Sequence, residues 1–72
     1  MSHTVDARGL SCPQPVLMTL TEMRKLKEGE IQILVDTDTS RENVGRAAAS
    51  QGWQVLDVQE EGGAYRIIVK KG

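Results

Sequence analysis

The chain has 72 residues, a net charge of −1 and one cysteine, so it has room for one small core and no internal disulfide. Cys12 and His3 are too few ligands for a structural zinc site, and no apolar run reaches membrane-spanning length. Interspersed charges argue against non-specific nucleic-acid binding, which needs a basic face. We therefore expect one domain over residues 1–72, without cofactor or metal, in the cytoplasm, where a free thiol stays reduced.

The first half of the chain predicts a strand, a helix and a second strand. Residues 4–7 form a candidate strand, and residues 8–11 form the loop that follows it. Apolar residues recur at helical spacing from residue 13 to about residue 27, with Gly29 as a candidate left-handed cap. The β-branched run over residues 31–35 predicts the second strand.

The second half predicts a helix followed by a β-hairpin. Thr39 and Glu42 match a capping box, so the helix is expected to begin at Thr39 and run to about residue 51, where Gly52 stops it. Residues 53–59 and 65–70 predict two strands, joined by a glycine turn at residues 61–63. Imperfect alternation at residues 55 and 56 predicts a β-bulge in the first of these strands.

The order of these elements predicts an α+β fold. Strand, helix, strand, helix, strand, strand gives a two-layer α/β sandwich, with two helices on one face of a four-stranded mixed sheet. The expected inner face of the second helix is small, which favours close packing on the sheet. Its residues are Val44, Ala47 and Ala48.

The single cysteine, Cys12, lies where the first helix is expected to begin. The first turn of a helix has unpaired N–H groups and a partial positive charge, which favour a thiolate. Pro13 suits the first helical position, and Pro15 lies within the first turn, so the N–H of Gln14 is the natural donor to Cys12. Cysteine is a poor structural cap, which favours a reactive thiol over a purely structural residue.

Other polar residues near the cysteine have two interpretations. Arg8 is either a solvated loop residue or a cation that stabilises a sulfur anion. Asp6 is expected to pair with Arg8 or with local backbone, and Gly9 is expected to have a positive φ. Asp36 and Asp38 are better interpreted as loop residues than as a metal site, because no third ligand accompanies them.

The run DARGLSCPQP over residues 6–15 resembles the signature of the TusA/SirA/YedF family, and length and element order extend the resemblance over the whole chain. The resemblance implies that Cys12 carries a persulfide. It also implies a cysteine desulfurase or another sulfur donor and a downstream acceptor protein. Gly9, Arg8, Pro13, Gln14 and Pro15 would then shape the start of the helix. From the mixed charges and the short apolar runs we expect no stable nucleic-acid partner and no membrane partner.

The first helix departs from the sulfur-relay branch of that family. Where that branch has a basic pair used in docking, this chain has Leu20 and Thr21, which is closer to the YedF-like branch, some of whose relatives are linked with selenium metabolism. Two other functions stay open from the residues. One is a redox-active thiol without its own resolving cysteine, and the other is a regulatory or interaction module that does not use Cys12 chemically.

Overall fold

The structure is a computed structural model that describes residues 2–10 and 14–72. The elements follow the predicted order, and they are β1 (Ser2–Asp6), α1 (Gln14–Leu26), β2 (Gly29–Val35), α2 (Asp38–Ser50), β3 (Gln54–Glu61) and β4 (Ala64–Lys71). Within the described part of the chain, no helix is long and apolar enough to cross a membrane.

The four strands form one mixed sheet in the order β1-β2-β4-β3. β1 runs parallel to β2, with Val5 opposite Ile33, and β4 runs antiparallel to both β2 and β3. Full burial alternates along β2, so one face of the sheet is covered more completely than the other. The two helices pack against each other on the covered face, which confirms the predicted two-layer α+β fold.

The core lies between the covered face of the sheet and the helices. From α2 it receives Val44 and Ala48, both fully buried, while Ala47 is half-buried. These short side chains let α2 approach the sheet closely, as the sequence predicts. Trp53 is only 3% exposed, so it packs as a core residue. The largest fully buried aliphatic side chains from the sheet are Ile31, Ile33, Val35, Ile67 and Val69.

The predicted cap of the second helix is wrong by two residues. α2 begins at Asp38, and its N-cap is Thr37, whose backbone is extended at φ −135° and ψ 153°. The Thr37 hydroxyl accepts a 3.0 Å hydrogen bond from the backbone N–H of Ser40. Thr39, the predicted cap, lies inside the helix. Thr37 has the extended backbone and the accepting hydroxyl that an N-cap requires, so the helix starts two residues before the predicted position.

The end of the first helix also differs from the prediction. α1 ends at Leu26, so the left-handed position after it falls on Lys27, at φ 62°. Gly29, the predicted cap, has a φ of 117° and is the first residue of β2. The positive φ at Gly29 therefore serves the entry into a strand.

The terminal hairpin has the predicted features. Gly62 and Gly63 join β3 to β4 with φ values of 53° and 86°, as a two-residue turn with both central residues left-handed requires. The register shifts between Val55 and Asp57, which confirms the bulge. β3 extends to Glu61, so that residue belongs to the strand and the turn is shorter than predicted.

Candidate functional site

The loop that precedes the cysteine follows β1 at the end of the sheet where the carboxyl end of β2 also lies. Because these strands are parallel, the segments after them lie side by side. The backbone N–H of Ala7 donates a 2.8 Å hydrogen bond to the carbonyl of Leu34, so the pairing with β2 continues one residue past β1. Ala7 is fully buried. The loop therefore starts from a position defined by the core.

Residues 7–10 form a tight turn. The N–H of Leu10 lies 3.4 Å from the carbonyl oxygen of Ala7, and Gly9, the third residue of the turn, has a φ of 79°. This is the position at which a type II turn needs glycine. A Cβ at Gly9 would meet no atom within 4 Å, so the requirement comes from the backbone conformation itself. The predicted positive φ at Gly9 is confirmed.

A long-range hydrogen bond ties this turn to the loop after β2. The N–H of Gly9 donates to Oδ2 of Asp36 over 2.8 Å, although the two residues are 27 apart in the sequence. Sequence reasoning treated Asp36 as a solvated loop residue and missed this contact. The available signal was the parallel pairing of the two preceding strands, which brings their carboxyl ends together.

Asp6 and Arg8 form a two-point ion pair at the base of the turn. The Nε of Arg8 donates to Oδ1 of Asp6 and its Nη2 donates to Oδ2, each over 2.9 Å. The backbone N–H of Arg8 also donates to Oδ1, over 3.2 Å. These bonds lower the pKa of Asp6 to about 2 and raise the pKa of Arg8. The predicted pairing is confirmed, and the guanidinium stays about half exposed.

The start of α1 is anchored by Pro15, which is fully buried. The hydroxyl of Thr19, also fully buried, donates a 2.8 Å hydrogen bond to the carbonyl of Pro15. Gln14 is exposed and is the first residue of the helix. Cys12 and Pro13 lie outside the described residues, and so does the predicted hydrogen bond from Gln14 to Cys12.

A second polar cluster at the same end of the sheet was not anticipated. The hydroxyl of Tyr65 donates a 2.6 Å hydrogen bond to Asp38 Oδ1, and the guanidinium of Arg41 lies 5.2 Å from the centre of the tyrosine ring. The bond to Asp38 is the main cause of a raised pKa for Tyr65. A cavity of about 140 Å³ is lined by both Arg8 and Tyr65, so this cluster neighbours the turn.

A groove of about 380 Å³ lies between β1 and α1. Its lining includes Asp6, the first residue of the motif, and Gln14, the first residue of α1. Leu17 on α1 lines the groove and is 51% exposed. The groove combines apolar and polar lining immediately beside the candidate site. It therefore supplies a surface next to the motif that is accessible to solvent.

The carboxylates that follow β2 are engaged with protein groups. Asp36 accepts from Gly9, and Asp38 accepts from Tyr65. Across residues 2–10 and 14–72 no group of three or more histidine, cysteine, aspartate or glutamate side chains is arranged to hold a metal ion. These two aspartates therefore act as hydrogen-bond acceptors that connect loops and elements.

Known proteins resemble this chain over nearly its whole length. The family model for sulfurtransferase TusA matches residues 3–71. YedF of Escherichia coli (strain K12) is 36% identical over 70 residues, which are 96% of this chain and 91% of YedF. The sulfur carrier protein TusA of Pseudomonas entomophila (strain L48) is 36% identical over 69 residues, which are 94% of this chain and 86% of that protein.

The fold is shared with a solved structure. The crystal structure of a SirA-like protein from Desulfitobacterium hafniense superposes with a TM-score of 0.89 at 31% sequence identity. The match covers 100% of this chain and 99% of that one. The resemblance seen in the motif is thus confirmed by sequence and by three-dimensional structure.

Proposed function

Since this chain belongs to the sulfurtransferase TusA family, we propose that it is a sulfur carrier that holds a persulfide on Cys12. The observation that carries this proposal is the family match over residues 3–71, a span that contains the only cysteine of the chain. Relatives that match nearly the full length include one named as a sulfur carrier protein. With one thiol available, any covalent sulfur transfer by this chain has to use Cys12.

The proposed reaction is an exchange at sulfur without net oxidation or reduction. The Cys12 thiolate attacks the outer sulfur of a persulfide on the donor. One S–S bond forms, the S–S bond of the donor breaks, and the donor thiolate leaves. In the second step an acceptor thiolate attacks the outer sulfur of the Cys12 persulfide, and the Cys12 thiolate leaves. The donor is a cysteine desulfurase or another persulfide-bearing protein, and the acceptor is a partner protein with a thiol.

The described residues on either side of Cys12 support this chemistry. The turn formed by residues 7–10 is held by hydrogen bonds to β2 and to Asp36, and α1 is anchored by buried Pro15. The unpaired N–H groups and the dipole at the start of α1 favour a nearby sulfur anion. Arg8 lies in the same loop and is partly exposed, but its positive charge is offset by the ion pair with Asp6, so stabilisation of the sulfur anion rests on the start of α1.

Three residues at the start of α1 have proposed roles in presenting the sulfur. Gln14 is the N–H donor toward the sulfur, and Pro13 and Pro15 stiffen the start of the helix. Neither step needs a cofactor or metal, a membrane or stable nucleic-acid binding. A single unpaired thiol suits the reducing cytoplasm, where we place the exchange.

Intact-mass measurement tests the proposal. The protein and its Cys12→Ser variant are each incubated with a cysteine desulfurase and cysteine. We expect the wild type alone to gain one sulfur atom, and we expect a reductant to remove it. Equal gain on both proteins would contradict a role for Cys12. If no protein gains sulfur from desulfurases or from small persulfides, although Cys12 is alkylated readily, the carrier function is wrong.

A further inference from the structure

The loop before Cys12 is connected to β2 and its following loop by two hydrogen bonds of 2.8 Å each. One joins backbone to backbone, from the N–H of Ala7 to the carbonyl of Leu34. The other joins the N–H of Gly9 to the side chain of Asp36. The first continues the β-ladder and needs no particular side chain. The second depends on the carboxylate, so it is the bond that a change of one side chain can remove.

Asp36 is not required by the local structure around it. It is exposed, so it adds nothing to the core, and the cap of α2 is supplied by Thr37. Its long-range bond instead reaches the one residue of the turn with a left-handed backbone, Gly9. A carboxylate is a stronger acceptor for a backbone N–H than a neutral group. Its bond therefore holds the turn at the point where the chain changes direction toward the motif.

The charge of Asp36 also acts on this loop. Its carboxylate contributes to the raised pKa of Arg8, after the larger contribution of Asp6. The charged groups at this turn are Asp6, Arg8 and Asp36, and Glu61 and Arg66 line the cavity beside Arg8. A negative charge near a thiol disfavours the thiolate, whereas correct placement of the loop at the start of α1 favours it. These two effects of Asp36 have opposite signs and can be separated by substitution.

We propose that Asp36 is a positioning residue that, through Gly9, holds the motif loop in the geometry in which Cys12 reacts. The proposal rests on the proposed function of Cys12. Asp36 touches no reacting atom in this scheme. It acts through the backbone of the turn, three residues before the cysteine in the sequence.

Two substitutions separate placement from charge. Asp36→Asn removes the charge and keeps an acceptor oxygen for Gly9, whereas Asp36→Ala removes both. The first measurement is the rate of Cys12 alkylation by iodoacetamide as a function of pH, which reports the thiol directly because the chain has one cysteine. The second is the rate of sulfur loading from a cysteine desulfurase and cysteine. Amide hydrogen exchange at Gly9 verifies that its hydrogen bond has been lost or kept.

For Asp36→Ala we expect faster amide exchange at Gly9, an alkylation profile moved toward the free-thiol value of about 8.5, and loading slowed about tenfold. For Asp36→Asn we expect amide exchange at Gly9 and the loading rate to stay near the wild type, and the alkylation profile to move slightly toward lower pH because the negative charge is removed. Rescue by asparagine identifies the acceptor atom as the important feature. If the charge alone mattered, Asp36→Asn and Asp36→Ala would change the profile equally and toward lower pH, which would overturn the proposal.

Two control variants exclude general causes. Asp57→Asn removes one negative charge from β3, and Val69→Ala removes part of a fully buried side chain of β4. Neither is expected to change the alkylation profile, even where the melting temperature falls. If Asp36→Ala also lowers only the melting temperature and leaves both rates unchanged, Asp36 is structural and the proposal is wrong. If the wild type does not load sulfur but Asp36→Ala still moves the alkylation profile, the carrier function fails while the positioning role stands.

Discussion

The hydroxyl of Tyr65 and the carboxylate of Asp38 form a 2.6 Å hydrogen bond that joins the start of β4 to the first turn of α2. Arg41 lies over the tyrosine ring at 5.2 Å and has its Nη2 3.7 Å from the same carboxylate. β4 is one of the two inner strands of the sheet and pairs with β2. This contact therefore links α2 to the middle of the sheet, at the end where the candidate site lies.

The titration of Tyr65 tests this contact. The bond to Asp38 raises the pKa of Tyr65 above its ordinary value of 10.0, and the chain has one tyrosine, so ultraviolet absorbance reports it alone. Because the folded-state pKa is raised, the stabilisation is complete below pH 10 and is lost as the pH rises through the folded-state pKa. We expect Asp38→Ala to lower the titration midpoint toward 10.0. An unchanged midpoint would show that the bond is absent in solution.

The ion pair between Asp6 and Arg8 predicts a second pH dependence. The guanidinium of Arg8 lowers the pKa of Asp6 from 3.8 to about 2. A lowered folded-state pKa contributes stability above pH 3.8, and this contribution is lost as the pH falls from 3.8 through 2. We expect carboxyl chemical shifts to show the low midpoint, and Arg8→Gln to move it toward 3.8. Arg46→Gln, at an exposed position of α2, should leave it unchanged.

Glycine substitutions at two sites should have opposite effects. Gly9 has a φ of 79°, so Gly9→Ala forces a side chain into the left-handed region and should cost about 1–2 kcal/mol in the free energy of unfolding. Gly45 lies within α2 without a positive φ, and a Cβ there meets no atom within 4 Å. Gly45→Ala should therefore stabilise by about 0.5–1 kcal/mol. Urea unfolding measures both. A stability of Gly9→Ala equal to the wild type would contradict the described turn, and a loss in Gly45→Ala would contradict the open space beside Gly45 in α2.

The position of the α2 cap gives a direct comparison of two threonines. Thr37→Ala removes the hydroxyl that accepts from Ser40 and should cost about 1 kcal/mol. Thr39→Ala, inside the first turn of the helix, should change stability by less than about 0.5 kcal/mol because alanine is the better helix former. Thermal or urea unfolding of the two variants decides between them. A larger loss at Thr39 would restore the capping box predicted from sequence.

The sequence by itself determined the features whose signals are local. Helical spacing, β-branched runs and the Gly62-Gly63 turn predicted the six elements in order, because each pattern acts on residues close together in the chain. The sequence also predicted the positive φ of Gly9 and the pairing of Asp6 with Arg8. Both features were predictable because the turn and the ion pair each span only a few residues. The motif around Cys12 likewise identified the family without any structure.

The tertiary structure alone decided which distant segments meet. The order β1-β2-β4-β3 places the loop after β1 beside the loop after β2, and Gly9 then reaches Asp36 across 27 residues. Tyr65 and Asp38 are joined in the same way. The cap of α2 is Thr37 and not Thr39, because the backbone that leaves β2 is extended at Thr37 and the helix starts directly after it. Such contacts depend on strand pairing and register, which no local pattern in the chain encodes.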